Sequence, residues 1–326
     1  PACGGHRYRV FYNGEYDIYA NNESNPLNCC FYIARRRFCV YNVDKQHIRE
    51  ESGMSGFICP VCGGALQRLQ TRYLCEQGHS YDIARKGYVN LLQSQQSGSK
   101  RHGDDRVMVQ ARKAFLRRGY YDPLRDRLCE LAQRYFEPDN TVLDAGCGEC
   151  FYTAALWRAL QQRNPQMLGI DISKYALAAA DLQGAPVQLA VASIFRLSVA
   201  SQSCGLLSNV FAPVCAAEFA RVLRPGGFLI RAVPMPLHLY TLKAAVYDRP
   251  YENKQPPGQL EGFVLRRRET LEYPMQLPDG QTIRELFQMT PYYYKTGAQD
   301  FQRLTKLDHL ETQAAFYLLV YQRTMK

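Results

Sequence analysis

The sequence predicts an α/β fold with a mostly parallel sheet, preceded by a small cysteine-rich module. Three observations support this prediction. Short apolar segments alternate with helical segments between residues 141 and 233, a glycine-containing turn follows the first apolar segment, and three cysteines and a histidine lie together between Cys59 and His79. Strands that alternate with helices form parallel sheets with both faces covered. At 326 residues the chain can hold one large domain and a smaller one.

The composition limits the classes of partner. Forty Lys and Arg against 30 Asp and Glu give a net charge of +10, which favours a polyanionic partner without identifying one. No run of about 18 apolar residues and no signal-peptide pattern occurs. The sequence therefore predicts a cytoplasmic protein with no membrane contact. The cysteines of the α/β region are scattered, as is typical of buried thiols.

Residues 1–53 show no sustained helical or strand period, apart from an apolar run at Cys29–Ile33. Because Met54 stands just before the cysteine cluster, we hypothesise that Met54 is a natural start and that residues 1–53 are an extension that is non-native or disordered. A genuine N-terminal extension is the alternative. Mass spectrometry of the natively expressed N-terminus distinguishes the two.

The cysteine cluster has the spacing of a tetrahedral zinc site. It runs Cys59-x2-Cys62, twelve residues, Cys75-x3-His79, so each pair can hold one ion from a tight turn. A redox pair and unconnected thiols are the alternatives. A redox Cys-x-x-Cys normally starts a helix, whereas Cys59 precedes Pro60 and a Gly-Gly turn. Four protein ligands leave no open position for chemistry, so the expected zinc is structural.

A polar linker and then a series of regular elements follow the cluster. Residues 93–105, QSQQSGSKRHGDD, are nearly free of apolar side chains. Residues 107–136 predict a helix that is broken near Gly119 and Pro123. The elements predicted beyond it are strands at 141–143, 167–171, 187–193, 205–211, 227–233 and 314–323, and helices at 154–162, 174–183, 216–223 and 239–248.

The turn after the first strand predicts a nucleotide-type binding site. The stretch VLDAGCGECF places Gly146 and Gly148 between a strand and a helix. Glycines let the backbone approach a ligand, and free amides at a helix start offer donors. The dinucleotide pattern fails because its last small position falls on Phe151. Asp171 closes the second strand, where a carboxylate can accept both hydroxyls of a ribose. An ordinary glycine turn is the alternative.

These features resemble the class I S-adenosylmethionine-dependent methyltransferases. Their first motif, Asp/Glu-x-Gly-x-Gly-x-Gly, corresponds here to the stretch from Asp144 to Cys150. Cys150 replaces the last glycine, a departure that either crowds the cofactor or is tolerated. The stretch RVLRPGGFLI matches the helix, turn and strand that these enzymes place before their fifth strand. The resemblance implies a Rossmann-like, mostly parallel sheet and S-adenosylmethionine as co-substrate.

A longer series of motifs resembles the RlmA family, the bacterial 23S rRNA guanine-N1 methyltransferases. The zinc cluster, SYDIARKGYVNLL, RRGYYDPLRD, LDAGCGE, GIDISKYA, VFAPVCAAEFARVLRPGG and PLHLYTLKAAVYD follow in the family's order over residues 57–325. The resemblance implies a zinc-binding RNA-recognition domain at 54–92, a linker at 93–106 and a class I methyltransferase domain at 107–326. It also implies methylation of N1 of a guanine in hairpin 35, and the cysteine module favours guanine 745. Family members are compatible with a homodimer.

The resemblance assigns roles to numbered positions. The implied zinc ligands are Cys59, Cys62, Cys75 and His79. The implied S-adenosylmethionine positions are Tyr121, Gly148, Glu149 and His238, and analogy with class I enzymes adds Asp144, Gly146 and the ribose acceptor Asp171. No catalytic base is identified. Ser198 and Gly205 stand where the family usually has proline and aspartate, a departure that either weakens cofactor binding or is tolerated.

Transfer of a methyl group to a ring nitrogen chiefly requires that the two reactants be positioned, and loss of the guanine N1 proton calls for a base or an enolate-favouring environment. Contact with rRNA is expected to be electrostatic first. Candidate contacts are Arg68, Arg72, Arg85, Lys86, the helix at 112–118, Arg266 and Tyr292 to Tyr294. A methyltransferase that acts on another RNA or a small molecule, and a catalytically weak RNA-binding homologue, are the alternatives. We expect Cys75→Ala to lose rRNA methylation while the downstream domain still binds cofactor.

Overall fold

The computed structural model describes residues 7–11, 15–19, 29–33, 36–40, 54–93, 103–256 and 258–325. Two compact units make up the chain, Pro1–Ser52 and Gly53–Lys326. The first unit contains two antiparallel pairs, β1 (Arg7–Phe11) with β2 (Glu15–Tyr19) and β3 (Cys29–Ile33) with β4 (Arg36–Val40). The hypothesis that residues 1–53 are non-native or disordered falls largely outside the described residues and stays a prediction.

The second unit begins with a small antiparallel sheet. Its strands, in spatial as well as chain order, are β5 (Met54–Ile58), β6 (Ala65–Arg68), β7 (Arg72–Cys75) and β8 (Ser80–Asp82). The large side chains Phe57, Leu66 and Tyr73 are almost completely buried. Side chains of a strand alternate between the two faces of its sheet, so this small sheet can bury one face and leave the other to solvent.

A sheet of eight strands forms the centre of the second unit. Its strands are β9 (Tyr88–Asn90), β10 (Thr141–Ala145), β11 (Gln166–Asp171), β12 (Val187–Val191), β13 (Cys204–Val210), β14 (Leu223–Pro234), β15 (Phe263–Leu277) and β16 (Leu310–Arg323). The spatial order is β15-β16-β14-β13-β10-β11-β12-β9. The pairings from β14 to β9 are parallel, and β16 pairs antiparallel with β14 and β15. The predicted α/β class is confirmed.

Eight helices of the described residues accompany this sheet. They are α1 (Arg106–Arg117), α2 (Asp122–Tyr135), α3 (Phe151–Leu160), α4 (Lys174–Ala178), α5 (Ala216–Val222), α6 (Tyr240–Val246), α7 (Gly280–Gln288) and α8 (Ala298–Thr305). The predicted break between α1 and α2 is confirmed, because Gly119 has a φ of +83° and Pro123 lies in the first turn of α2. Among the described residues, every helix is too short or too polar to cross a lipid bilayer.

The helix predicted at 174–183 is wrong in length, because α4 ends at Ala178. Beyond it, the Asp181 N–H donates to the Glu149 carbonyl over 3.0 Å, and Gln183 adopts a φ of +49°. This contact brings the chain back to the segment that follows the glycine turn. Tertiary structure therefore overrides a helical propensity that an alanine-rich sequence supports.

The segment after Pro234 contains three elements that the sequence did not predict, β15, α7 and α8. Most side chains of β15 are exposed or half-buried, and Pro274 lies within it. β15 is an edge strand, where backbone groups on one side face away from the sheet and a proline is tolerated. Its apolar pattern is correspondingly weak. The predicted final strand, β16, lies inside the sheet, and β15 completes the edge.

The small sheet packs against the large one. β9, which follows the small sheet in the chain, pairs in parallel with β12. The Ile58 N–H donates to the Ser198 carbonyl over 2.9 Å, and Phe57 forms a β-bridge with Val199. A Cβ atom on Gly56 would lie 2.7 Å from the methyl carbons of Leu168 in β11. The two sheets therefore share one apolar core.

The predicted linker at 93–106 is described only at its two ends. The Gln93 side chain donates to the Pro60 carbonyl over 2.6 Å. Asp105 caps α1, because its carboxylate accepts from the backbone N–H groups of Val107 and Met108. Residues 94–102 lie outside the described residues, so the domain boundaries stay predictions.

Candidate active site and metal centre

Two loops of the small sheet hold the candidate metal centre. The Gly63 N–H donates to the Cys59 carbonyl over 2.8 Å, and the Gly78 N–H donates to the Cys75 carbonyl over 2.9 Å. The φ angles of Gly63 and Gly78 are +74° and +80°, in the left-handed region that glycine adopts without strain. Each loop therefore turns back tightly enough for two ligands to face the same point.

The four predicted ligand atoms lie within 4.8 Å of one another. The Sγ atoms of Cys62 and Cys75 are 3.7 Å apart, and Cys75 Sγ is 3.3 Å from His79 Nδ1. Zn–S bonds of about 2.3 Å place two tetrahedral sulfurs roughly 3.8 Å apart. The Tyr81 hydroxyl lies 3.0 Å from Cys59 Sγ, where it can donate to a thiolate. Three thiols and an imidazole in this arrangement fit a structural zinc ion.

The glycine turn connects β10 to α3 and contacts the end of β11. Gly146 and Gly148 have φ angles of +92° and +55°, and a Cβ on Gly146 would lie only 2.4 Å from the Ala212 Cβ. The Asp171 carboxylate accepts from the Gly148 N–H over 2.9 Å and from the Ser173 N–H over 2.7 Å. Burial raises the pKa of Asp171, and these two N–H groups oppose the shift. The predicted ribose acceptor is thus fixed against the turn.

Cys150, which replaces the last glycine of the class I motif, adopts a φ of +68° at the start of α3. Its side chain is fully buried in the core and does not line the cavity beside the turn. A left-handed conformation costs a residue with a Cβ roughly 1–3 kcal/mol. The cysteine therefore costs backbone strain but does not narrow this cavity.

Asp144 lies behind the turn and lines neither of the two cavities described below. Its carboxylate is buried and accepts from the Thr153 hydroxyl over 2.6 Å. Burial raises the pKa of Asp144 to about 6, although the Thr153 hydroxyl opposes the shift. Asp144 thus supports the turn from behind, and its assignment as a cofactor position stays a prediction.

A first cavity of about 460 Å³ lies in front of the glycine turn. Gly146, Gly148, Glu149 and Asp171 line it, together with the loop that contains Phe195. Its volume is typical of small-molecule sites. Two glycines that allow close approach, an acidic acceptor at a strand end and apolar walls fit a cofactor with a ribose and an adenine, such as S-adenosylmethionine.

A second cavity of about 440 Å³ adjoins the first and contains Tyr121 and His238, the two remaining predicted cofactor positions. Six residues line both cavities. They are Asp104, Arg112, Leu116, Tyr152, Phe211 and Ala212. The seven predicted cofactor residues are therefore divided, with four around the first cavity, two around the second and Asp144 behind the turn.

Hydrogen bonds fix the tautomer of His238. Its Nδ1 accepts from the Ala315 N–H over 3.1 Å, so the hydrogen of the neutral ring is on Nε2, which lies 3.3 Å from the Tyr121 hydroxyl. Burial, together with the charge of Lys243, lowers the pKa of His238 to about 3. The imidazole is neutral at physiological pH and donates to the Tyr121 oxygen, which leaves the Tyr121 hydroxyl hydrogen free for a ligand.

Aromatic side chains surround the second cavity. Phe211 follows β13, is 43% exposed and has a φ of +55°. That conformation is rare for a bulky residue, and such strain clusters at functional sites. Tyr152 has a buried hydroxyl without a hydrogen-bond partner in the described part of the chain. Tyr292, one of the tyrosines expected to face the substrate, also lines this cavity.

The basic residues of α1, which the sequence predicts to contact RNA, also interact with groups of the protein, and their contact with RNA stays a prediction. Arg112 lies at the junction of the two cavities. Lys113 donates to the Ala179 carbonyl, Arg117 pairs with Asp181 over 3.1 Å, and Arg118 pairs with Glu285 over 2.8 Å. Lys113 is half-buried, whereas Arg117 and Arg118 remain exposed although each pairs with a carboxylate of the protein. Sequence spacing alone does not show this.

The basic residues of the small sheet and of the turn between β8 and β9 match the RNA prediction better. Arg68, Arg72, Arg85 and Lys86 are exposed, and none has an ion-pair partner within the described ranges. Arg266 on β15 is also exposed, although it donates to the Gln322 side chain over 3.0 Å. The small sheet therefore presents cations that are available to a polyanion.

Comparison with known proteins gives consistent matches for both parts of the second unit. Residues 57–100 match the family model of the N-terminal part of RlmA, and residues 143–231 match a methyltransferase domain. The chain is 36% identical over 256 residues to the 23S rRNA (guanine(748)-N(1))-methyltransferase of Streptomyces fradiae, which covers 77% of this chain and 80% of the relative. It is 31% identical over 248 residues, 73% of this chain and 86% of the relative, to a Bacillus subtilis (strain 168) protein provisionally assigned as a 23S rRNA (guanine-N(1)-)-methyltransferase.

Proposed function

This chain belongs to the RlmA family of 23S rRNA guanine-N1 methyltransferases, and from that premise we propose that it methylates N1 of a guanine in 23S rRNA with S-adenosylmethionine as the methyl donor. We propose guanine 745 in hairpin 35 as the target. Guanine 748, the position in the name of the Streptomyces fradiae relative, is the second candidate. The proposed place of action is the cytoplasm, where the rRNA is.

The observation that best supports this function is the pair of adjoining cavities. The first fits the cofactor, and the second has the aromatic walls that a flipped base requires. Because Arg112, Tyr152 and Phe211 line both, the reacting atoms of cofactor and base can meet at the junction without leaving protein contact. Alignment of the two reactants is the largest contribution that such a reaction needs from the enzyme.

The cofactor supplies an activated methyl group on a sulfonium, so the protein chiefly orients the base and handles the N1 proton. His238 does not act as the general base, because its pKa of about 3 is far from the operating pH and its Nε2 already has a hydrogen. The Tyr121 hydroxyl, with His238 Nε2–H directed at its oxygen, can donate to O6 of the guanine. Such a donor favours the enolate form that results when N1 loses its proton.

The small sheet is proposed to contact the phosphate backbone of the rRNA through Arg68, Arg72, Arg85 and Lys86. All four are exposed, and each phosphate contact contributes affinity that falls with salt concentration. A methyltransferase for small molecules has no need of such a surface. A catalytically weak homologue is disfavoured because Cys150 is not among the residues that line the first cavity. A homodimer stays a prediction.

Methylation of 23S rRNA from a strain without N1 methylation at these guanines tests the proposal. A methyl group on N1 blocks Watson–Crick pairing, so reverse transcription stops beside it. We expect a stop that appears only with enzyme and S-adenosylmethionine and that maps to guanine 745. The Asp171→Asn protein serves as the inactive control. A stop at 748 supports the second candidate, and no stop in hairpin 35 contradicts the substrate assignment.

A further inference from the structure

Arg112 is held in place by two carboxylates. Its Nε donates to Glu149 Oε2 over 2.7 Å, and its Nη1 donates to Asp104. The side chain extends from α1, which precedes the glycine turn in the chain, and its guanidinium lies over Gly148. With two of its three nitrogens bound, the guanidinium plane is fixed before any ligand arrives, which lowers the entropic cost of binding.

The third nitrogen, Nη2, is buried and has no hydrogen-bond partner among the residues that the structure describes. It lies 3.2 Å from the position that a Cβ on Gly148 would occupy, at the junction of the two cavities. A buried donor of a charged group that lacks a partner is costly and uncommon in native proteins. Nη2 lies at the cavity wall with both hydrogens free, which indicates that an acceptor atom of a ligand accepts a hydrogen bond from it.

The charges at this site suit one part of the cofactor in particular. Among the residues that line the first cavity, Arg112 provides the positive charge and Asp104, Glu149 and Asp171 provide the negative charges. Burial opposes the charge of Arg112, but Glu149 and Asp104 outweigh it and hold its pKa above the usual value. S-adenosylmethionine has a carboxylate, an ammonium and a sulfonium group. Its carboxylate is favoured beside Arg112, and its two cations are favoured by the surrounding acids.

We infer that Arg112 binds the α-carboxylate of the methionine part of S-adenosylmethionine through Nη2 and so selects cofactors that retain this group. The inference rests on the proposed function and adds to it a positioning residue for the cofactor. A carboxylate held there places the rest of the methionine chain along the glycine turn, between Asp171 and the second cavity. Glu149 and Asp104 act through Arg112 by holding its guanidinium.

Calorimetry with two ligands tests the inference without any dependence on catalysis. S-adenosylhomocysteine has the carboxylate, and its decarboxylated analogue lacks it. We expect the wild-type protein to bind S-adenosylhomocysteine about 10- to 100-fold more tightly, as loss of a charged hydrogen bond implies. In Arg112→Lys, which keeps the charge but loses the fixed guanidinium fork, this ratio should fall to about threefold or less.

Arg117→Lys is the matched control, because Arg117 is on the same helix, is exposed and pairs with Asp181. It should keep the wild-type ratio. A variant with a general folding defect loses affinity for both ligands equally, which leaves the ratio unchanged and counts against the inference. A wild-type ratio near one overturns it without reference to any variant. If wild-type protein binds neither ligand, the proposed function fails as well.

Discussion

The metal centre and the cofactor site are assembled in opposite ways. The metal centre takes all four ligands from residues 59–79, on two tight turns of one small sheet. The cofactor site combines groups from segments that are far apart in the chain, such as Arg112 with Glu149 and Tyr121 with His238, which are 117 positions apart. A local site can be recognised from spacing, whereas a site built across a parallel sheet depends on the packing that brings its parts together.

The two regions nevertheless meet at one loop. Ile194 and Phe195 line the first cavity, and a few positions later Ser198 accepts from the Ile58 N–H of the small sheet. Between them, Arg196 donates to the Pro60 carbonyl, one residue from the predicted zinc ligand Cys59. The small sheet therefore supports the wall of the cofactor cavity. This arrangement argues against the expectation that the two regions work independently, and three predictions examine the contrast.

The largest effect on folding free energy and metal content is expected for Cys75→Ala. Loss of one of four ligands removes most of the zinc affinity, and the folding free energy that a structural zinc provides in small domains is about 10–16 kcal/mol. We therefore expect the zinc content to fall far below one ion per chain. Because the small sheet shares a core with the large one, we also expect affinity for S-adenosylhomocysteine to fall about tenfold, as a loosened loop loses preorganisation.

Metal analysis and calorimetry measure the two quantities. Cys204→Ala is the control, because it removes a buried thiol on β13 that is not one of the four residues of the metal cluster. It should keep its zinc and its affinity for the ligand. If Cys75→Ala loses zinc but binds S-adenosylhomocysteine as the wild type does, the two regions are independent, and the division of labour expected from the sequence is restored.

The second prediction concerns the glycine turn alone. In Gly146→Ala a Cβ would lie 2.4 Å from the Ala212 Cβ, at a φ of +92°. Either the turn or the loop after β13 must move, and we expect affinity for S-adenosylhomocysteine to fall about 100-fold, since both segments line the cavity. The zinc content should not change, which distinguishes this effect from that of Cys75→Ala.

Gly184→Ala provides a close control for Gly146→Ala. Gly184 has a similar φ of +84°, but nothing lies within 4 Å of an added Cβ. The Gly184→Ala variant should therefore lose roughly 1–2 kcal/mol of stability, the cost of a left-handed backbone for a residue with a Cβ. Its affinity for S-adenosylhomocysteine should not change. Equal affinity losses in the two variants would mean that backbone strain, and not the contact with Ala212, is responsible.

The smallest effect is a pH dependence from Asp144, behind the turn. Its pKa of about 6 exceeds that of an exposed aspartate, so the folded state binds the proton more tightly than the unfolded state. The free energy of unfolding should therefore rise from this group as pH falls from about 7 toward 4, by about 2 kcal/mol. Asp144→Asn removes this contribution, so the wild type should gain about 2 kcal/mol of stability relative to the variant as pH falls from about 7 to 4.

Chemical denaturation at several pH values measures the difference. His238 acts in the opposite direction, because its lowered pKa makes stability fall as pH drops below about 6.5. It is present in both proteins, so its contribution cancels in the comparison. Asp126→Asn, an exposed change of equal charge on α2, is the control. A pH-independent difference between Asp144→Asn and wild type would show that Asp144 is not buried as described.

The sequence by itself determined the features that depend on short-range patterns. Strands buried on both faces, such as β10 and β13, have continuous apolar runs, and helices between them have a regular apolar period. The clustering of the four predicted zinc ligands followed from spacing, because a tight turn needs only a few residues and a glycine such as Gly63. The glycine turn and Asp171 were found in the same way, since a strand end and the turn after it are adjacent in the chain.

Only the tertiary structure decided the features that depend on what packs against what. The edge strand β15 lacks an apolar pattern because one side of it faces away from the sheet. The sequence assigned Arg112 to RNA because a charged residue on a helix looks solvated until its neighbours are known. The structure instead surrounds it with Glu149 and Asp104. Long-range contacts of this kind are set by the folded core, and no local spacing encodes them.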